Sequence, residues 1–196
     1  MKISILGSGK GSNAKYILSE FTKGKLKKIN EISLFSDNEA SNFSQLSLEI
    51  GCYFKHVPTN EKTSIIKDNY EKEWIKSISN VKPDLIILAG FMKVIGVNFI
   101  KHFKGQIINL HPSLLPEFKG LNAIKKAYDK GVARTGCTVH WVNETIDGGE
   151  IIAQSTVERL NSDTLEDLTS KIQRKEHFLL SQVICALAET QKINPQ

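Results

Sequence analysis

The sequence predicts an α/β protein in which a mostly parallel, twisted sheet is covered by helices on both faces. Short apolar segments with strand character alternate along the chain with longer segments whose apolar residues recur at helical spacing. One of the short segments, residues 85–89, has no polar alternation, as expected for a strand buried on both faces of a parallel sheet. The arrangement is Rossmann-like, and such sheets bind ligands beyond the carboxyl ends of their strands.

Each element follows from local spacing and from its flanking turn residues. Strands are predicted at residues 1–6, 29–35, 52–57, 85–89, 106–110, 137–142 and 150–157. Helices are predicted at residues 14–21, 40–50 (ended by Gly51), 63–79, from an Asn122 cap to 130, and from an Asp163–Glu166 capping box through Leu187, with a frayed tail after Lys192.

Composition limits the classes of protein that fit. With 196 residues, 40% hydrophobic and 24% charged, we expect one globular domain spanning residues 1–196. Cys52, Cys137 and Cys185 lie far apart and are expected to be reduced thiols, with no disulfide and no metal site. The longest apolar run, residues 85–92, falls far short of the roughly 20 residues that span a bilayer. We therefore expect a cytoplasmic protein that binds no membrane.

The net charge of +5 favours anionic ligands, and nucleic acid is the alternative partner to weigh. The positive residues are spread along the chain, and the densest cluster, residues 23–28, has no interleaved aromatic ladder. A small phosphate- or carboxylate-bearing molecule is therefore the better prediction, and no nucleic-acid binding is expected.

A glycine-rich turn, residues 7–13, connects the first strand to the first helix. Ser12 stands where the dinucleotide fingerprint needs glycine, and the Walker A spacing is absent. The turn therefore indicates a single phosphate held at a helix N-terminus, with Ser12 and Asn13 as added donors. A tight turn that serves only packing is the alternative. Asp37, after the second strand, leaves a nicotinamide enzyme as a rival.

Two polar residues end the strand at 106–110. Asn109 and His111 alternate with Leu110, so both should emerge on one face of the sheet, where an amide and an imidazole can reach one oxygen. The alternative is a strand end whose polar side chains only form structural hydrogen bonds and take no part in catalysis. Asp147, before Gly148 and Gly149, would raise the pKa of a nearby imidazole and keep it protonated.

These segments together resemble the phosphoribosylglycinamide formyltransferases, folate-dependent enzymes of purine synthesis. The resemblance covers essentially the whole chain and rests on five features: residues 9–13, residues 88–93, Asn-Leu-His-Pro-Ser-Leu-Leu-Pro at 109–116, Asp-Gly-Gly at 147–149, and Gln173 with Glu176. It implies the formyltransferase fold, in which the last strands can run antiparallel.

The resemblance also implies a role for each matching residue. Asn109, His111 and Asp147 would be catalytic, Gly11, Ser12 and Asn13 would hold the substrate phosphate, and Glu176 would meet the ribose. Lysines stand at 67 and 93 where relatives have arginine, so the fork-shaped grip of arginine is lost. The folate site would comprise Lys67, Met92, Lys93, Val94, Ile95, Asn109, Asn143, Glu144, Thr145, Ile146 and Asp147.

The implied reaction transfers the formyl group of 10-formyltetrahydrofolate, a co-substrate, to the amino group of glycinamide ribonucleotide, with no metal. Direct amine attack would give an oxyanion held by Asn109 and protonated His111, while Asp147 relays the proton. The protein would be a monomer or a homodimer.

Three rivals stay open on the sequence alone. A formyltransferase with another acceptor, methionyl-tRNA or a sugar nucleotide, and a formyltetrahydrofolate hydrolase would each be expected to differ in N-terminal loop or in added domains. The third rival is a non-catalytic module that binds nucleotides through the glycine turn.

Overall fold

The structure, a computed structural model, describes residues 1–60 and 64–190. Seven strands form one sheet: β1 Lys2–Leu6, β2 Glu31–Ser36, β3 Tyr53–His56, β4 Leu85–Ala89, β5 Ile107–His111, β6 Arg134–Trp141 and β7 Ile151–Glu158. The helices are α1 Ser12–Thr22, α2 Phe43–Ile50, α3 Asp68–Val81, α4 Val97–His102, α5 Ala123–Asp129 and α6 Leu165–Thr190.

The strand order is β3-β2-β1-β4-β5-β6-β7. The pairs from β3 to β5 are parallel, whereas β5–β6 and β6–β7 are antiparallel. The predicted mostly parallel sheet with antiparallel last strands is therefore confirmed. The order reverses between β1 and β4, so the loops that follow these two neighbouring strands diverge and leave a crevice at their carboxyl ends.

Each face of the sheet carries its own hydrophobic core. Residues of α1 and α6 pack on one face with Leu110 of β5, whereas Trp74 of α3 and Phe99 of α4 pack on the other face. Each fully buried side chain of this size contributes about 1.5–3 kcal/mol. Because Leu110 belongs to the first core, its neighbours Asn109 and His111 face the side that carries α3 and α4.

The helix starts differ from the sequence-based expectations for local reasons. Helix α2 begins at Phe43 rather than residue 40. Helix α3 begins at Asp68, because Ile66 before it donates its N–H to the Val94 carbonyl in a short parallel bridge. The expected start at residue 63 and the tail after Lys192 lie outside the described residues. Helix α4, which has only six residues, was not predicted at all.

Two expected helix caps are wrong in detail. Asn122 precedes α5 in a left-handed conformation, and its side chain makes no capping hydrogen bond. At α6 the reciprocal capping pair is Thr164 and Asp167, one residue later than expected. Asp163 instead binds Lys171, with Oδ2 at 2.6 Å from Nζ.

The three cysteines are free thiols, as predicted. Cys137 is buried in the core, and burial raises the pKa of its thiol to about 12. Among the helices of the described residues, none is long and apolar enough to cross a membrane.

Candidate active site

Asn109 and His111 lie near the carboxyl end of the interior strand β5 and project into one cavity, as the alternation of the strand predicted. The His111 side chain is almost fully buried, with 5% of the residue exposed. Its Nε2 lies 3.0 Å from the Phe118 carbonyl. Because a carbonyl can only accept, Nε2 carries a proton in this conformation.

Asp147 approaches this pair from the loop between β6 and β7. Its Oδ2 lies 3.4 Å from His111 Nδ1 and accepts the Gly120 N–H at 2.7 Å, while Oδ1 accepts Asn109 Nδ2 at 3.3 Å. Gly149 makes the approach possible, since a Cβ at this position would overlap the Trp141 carbonyl. Three residues separated by up to 38 positions therefore meet at one point, as the sequence predicted.

His140 belongs to the same cluster, although it was not among the predicted site residues. Its Nδ1 donates to the Trp141 carbonyl at 2.8 Å, which leaves Nε2 as the acceptor of a neutral ring. Asn109 Nδ2 donates to that Nε2 at 3.2 Å, and Asp147 Oδ1 lies 3.6 Å from it. His140 thus holds the amide of Asn109 with its N–H groups facing the site. Both N–H groups of Asn109 have an acceptor in this conformation.

The pKa of His111 is set by opposing influences. Burial is the largest influence and lowers the pKa of His111 below its usual value, although Asp147 and the Phe118 carbonyl each act to raise it. Burial would raise the pKa of Asp147, but the contact with His140, the hydrogen bond from Gly120 and the positive charge that His111 and His140 carry when protonated outweigh it and lower that pKa to about 2. Asp147 is therefore ionised. It acts on the pKa of His111 in the expected direction, but burial opposes it and the net shift is downward.

A cavity of about 430 Å³ opens in front of these residues. One wall is the loop after β4, including Phe91 and Ile95, and the facing wall is the loop of residues 143–147. The wall after β4 is fixed by backbone hydrogen bonds of Val94 to residues 64 and 66. The cavity walls include ten of the predicted folate residues, namely Met92, Lys93, Val94, Ile95, Asn109, Asn143, Glu144, Thr145, Ile146 and Asp147.

The predicted folate residue Lys67 is not among the residues that line this cavity. It lies exposed, directly before α3. Lys93, by contrast, lines the cavity and donates from Nζ to the Asn60 carbonyl at 3.2 Å.

The glycine turn forms a second polar region at the end of β1. Gly11 caps α1 with a φ of 68°, and a Cβ there would lie 2.9 Å from the Phe43 ring. Ser12 and Asn13 begin the helix, where backbone N–H groups are unpaired and the dipole is positive. Ser8 joins this turn to the cavity wall, because its Oγ accepts the Met92 N–H at 2.8 Å.

Glu176 of α6 meets the start of α1. Its Oε2 accepts Asn13 Nδ2 at 3.2 Å, so the structure brings together the residues expected to bind phosphate and ribose. Burial raises the pKa of Glu176 to about 7, although the hydrogen bond from Asn13 opposes this shift. The Oδ1 atom of Asn13 is buried and has no hydrogen-bond partner among the described residues.

Comparison with known proteins places this geometry in a family. Residues 1–184 match the model of the formyl transferase family. The chain is 32% identical to phosphoribosylglycinamide formyltransferase of Escherichia coli over 96% of its length and 88% of the relative. A crystal structure of phosphoribosylglycinamide formyltransferase from Bacillus halodurans is 34% identical and superposes with a TM-score of 0.89, covering 100% of both chains.

A longer relative is the trifunctional purine biosynthetic protein adenosine-3 of Drosophila pseudoobscura pseudoobscura. It is 33% identical over 95% of this chain, which spans only 14% of that protein. The resemblance predicted from the motifs is thus confirmed, and the rival nicotinamide enzyme suggested by Asp37 is not supported. The chain belongs to the formyl transferase family.

Proposed function

We propose that this protein transfers the formyl group of 10-formyltetrahydrofolate to the amino group of 5'-phosphoribosylglycinamide, a step of de novo purine (IMP) biosynthesis. The observation that carries the proposal is the cluster of Asn109, His111 and Asp147 in the wall of an apolar cavity of about 430 Å³. The relatives whose names state this activity cover nearly the whole chain and support it.

The formyl folate would occupy the cavity. Met92 and Ile146 on its facing walls are 57% and 55% exposed, so a flat ring bound between them would cover apolar surface now in water. Lys93 lines the opening, and exposed Lys67 would reach only the acidic tail of the folate. A lysine attracts such a carboxylate as a point charge and lacks the fork geometry of arginine.

The ribonucleotide would bind between the glycine turn and α6. Its phosphate would accept the backbone N–H groups at Gly11, Ser12 and Asn13 beside the positive end of the helix dipole. Glu176 would accept ribose hydroxyls, and the unpaired Oδ1 of Asn13 offers a further acceptor there. Remote binding of this kind would hold the amine against the formyl carbon.

The chemistry requires no nucleophile from the protein. The substrate amine attacks the formyl carbon, and the carbonyl oxygen becomes an oxyanion that accepts from Asn109 Nδ2 and the His111 N–H. One such donor is worth about 10²–10³ in rate. His111 now donates to the Phe118 carbonyl and Asn109 to Asp147, so the substrate oxygen would replace these acceptors.

The tetrahedral intermediate then breaks down to the formylated amine and the free folate. The new bond joins the amine nitrogen to the formyl carbon, and the bond from that carbon to N10 of the folate breaks. The proton lost by the amine ends on N10, with Asp147 as the nearby carboxylate that passes it through water. We propose that His111 donates a hydrogen bond to the developing oxyanion, and that ionised Asp147 favours the protonated form of His111 as the oxyanion forms.

The test is a formyl-transfer assay that follows the absorbance of a 10-formyl folate analogue, with and without glycinamide ribonucleotide. We expect deformylation only with the acceptor, and a loss of at least about two orders of magnitude in His111→Ala and Asp147→Ala. Asn13→Ala should mainly raise the KM for the ribonucleotide.

Other results would contradict parts of the proposal. Deformylation without acceptor would instead indicate the hydrolase, and near-normal turnover of a folded His111→Ala protein would reject the assigned site.

We also propose that residues 1–196 act as a single domain in the cytoplasm, as a monomer or homodimer, without metal.

A further inference from the structure

The turn of residues 113–117, which follows His111 and Pro112, is anchored from strands β6 and β7. Thr138 of β6 donates its hydroxyl proton to the Ser113 carbonyl at 2.7 Å and accepts the Leu115 N–H at 3.1 Å. Gln154 of β7 donates from Nε2 to the Leu115 carbonyl and to Thr138 Oγ1, both at 2.9 Å. Two neighbouring strands therefore hold the backbone of this turn.

The hydroxyl of Thr138 uses its full hydrogen-bonding capacity in this network. A threonine hydroxyl has one donor and two acceptor positions, and Thr138 fills all three with Ser113, Leu115 and Gln154. The amide of Gln154 has two N–H donors, and both are used. Within the described part of the chain, no other side chain bonds the Leu115 carbonyl, so Gln154 holds this group although it lies on the edge strand of the sheet.

The anchored turn leads directly into the backbone that contacts the proposed catalytic residues. Ser113 Oγ donates to the Glu117 carbonyl, which fixes the end of the turn. The next residue, Phe118, has a φ of 52° and offers its carbonyl to His111 Nε2. Two residues later the Gly120 N–H donates to Asp147 Oδ2. A displaced turn would therefore displace the groups that orient both His111 and Asp147.

We propose that Gln154 is a positioning residue for formyl transfer, which it supports by fixing the turn at 113–117 and hence the approach of Phe118 and Gly120 to His111 and Asp147. The inference rests on the proposed function. Gln154 itself touches neither of the two catalytic side chains. Its contribution is to hold a pre-formed geometry, and a misplacement of about 1 Å can cost up to about 10²-fold in rate.

Two substitutions of similar size separate the hydrogen bonds of Gln154 from its bulk. Gln154→Leu removes both donors, and Gln154→Glu in addition sets a carboxylate against the Leu115 carbonyl. Thr156→Val is the matched control, because Thr156 lies on the same face of β7 and its side chain makes no hydrogen bond to the described residues.

The measurement is steady-state formyl transfer with the full chain, together with the NMR shift of the Gly120 amide proton. We expect kcat to fall roughly tenfold in Gln154→Leu and further in Gln154→Glu, with the KM for the ribonucleotide within about twofold of wild type. The Gly120 amide proton should move upfield as its bond to the Asp147 carboxylate lengthens. A Gln154 residue that served only stability would lower the melting temperature without moving this signal.

The outcomes are distinct. Wild-type kcat in both Gln154 variants, or an equal loss in Thr156→Val, would overturn the positioning role while leaving the proposed function intact. An unmoved Gly120 signal in a variant of reduced kcat would also overturn it. A wild-type protein without formyl transfer would instead reject the proposed function itself, and the Gly120 shift would still report whether Gln154 fixes the turn.

Discussion

Asn13 and Glu176 are joined by a hydrogen bond of 3.2 Å between Nδ2 and Oε2, although 163 residues separate them in the sequence. The bond ties the first turn of α1 to the middle of α6. Glu176 is 7% exposed and makes no ion pair within the described residues. A carboxyl group buried without a cation favours its neutral form, which is why its pKa rises to about 7.

This raised pKa makes the stability conferred by Glu176 depend on pH. The folded pKa lies above the unfolded value near 4.5, so the folded state binds more protons between the two values. The contribution is complete below pH 4.5 and is lost as the pH rises through about 7. Relative to Glu176→Gln, we expect wild type to lose up to about 3 kcal/mol of unfolding free energy between pH 4.5 and pH 8. Urea denaturation at both pH values measures this change.

Glu20→Gln is the matched control for that experiment. Glu20 is similarly buried, but Lys25 Nζ lies 3.0 Å from its Oε2. Its replacement removes half of an ion pair and should not become favourable at pH 8. A difference between wild type and Glu176→Gln that stays constant over the whole range would show that Glu176 ionises at its ordinary pKa.

The sheet and the position of Asn109 and His111 were predictable, because they depend on local alternation. Residues 85–89 are apolar throughout, and the three residues at the end of β5 alternate. Neither pattern depends on where the helices are predicted to begin or end. The close approach of Gly149 to the Trp141 carbonyl, by contrast, was not predicted.

The role of His140 was not predictable in the same way. It faces Asn109 only because β6 runs antiparallel to β5 in a register that pairs these two residues. Neither direction nor register is written in the local sequence of β6. The pKa of His111 could not be predicted from the sequence either. Burial lowers it and the Asp147 carboxylate raises it, and only the folded structure sets the balance between the two.

The titration of His111 offers a second prediction. Asp147 raises the pKa of His111, whereas burial, His140 and Lys126 lower it. Removing the carboxylate charge in Asp147→Asn should therefore move the His111 midpoint further below 6.5. Imidazole ¹⁵N shifts recorded between pH 4 and 8 measure the midpoint, with His111→Gln to assign the signal.

The same titration has a control in the neighbouring loop. Glu144 is exposed and lies three residues before Asp147, so Glu144→Gln should leave the His111 midpoint in place. A higher midpoint in Asp147→Asn would mean that the carboxylate does not favour the imidazolium.

The third prediction concerns His140 and the amide of Asn109. Without the acceptor at His140 Nε2, the Asn109 amide loses the bond that directs its N–H groups. We expect His140→Leu to lower kcat by roughly tenfold or more, and the double variant with Asn109→Leu to lose little beyond Asn109→Leu alone. Fully additive losses in kinetic measurements would show that the two residues act separately. His56→Leu, a histidine outside the cavity lining, is the control.

The last prediction concerns Gly149, which fixes the base of the loop that carries Asp147. A Cβ at this position would overlap the Trp141 carbonyl, a backbone atom held within the sheet, so the loop must move away in Gly149→Ala. We expect a loss of about 1–3 kcal/mol in unfolding free energy and weaker binding of a formyl folate analogue, measured by fluorescence. Gly9→Ala is the control, since a Cβ there meets no atom within 4 Å and Gly9 does not line the cavity. Equal affinities of the two variants for the analogue would show that the position of this loop does not govern the folate site.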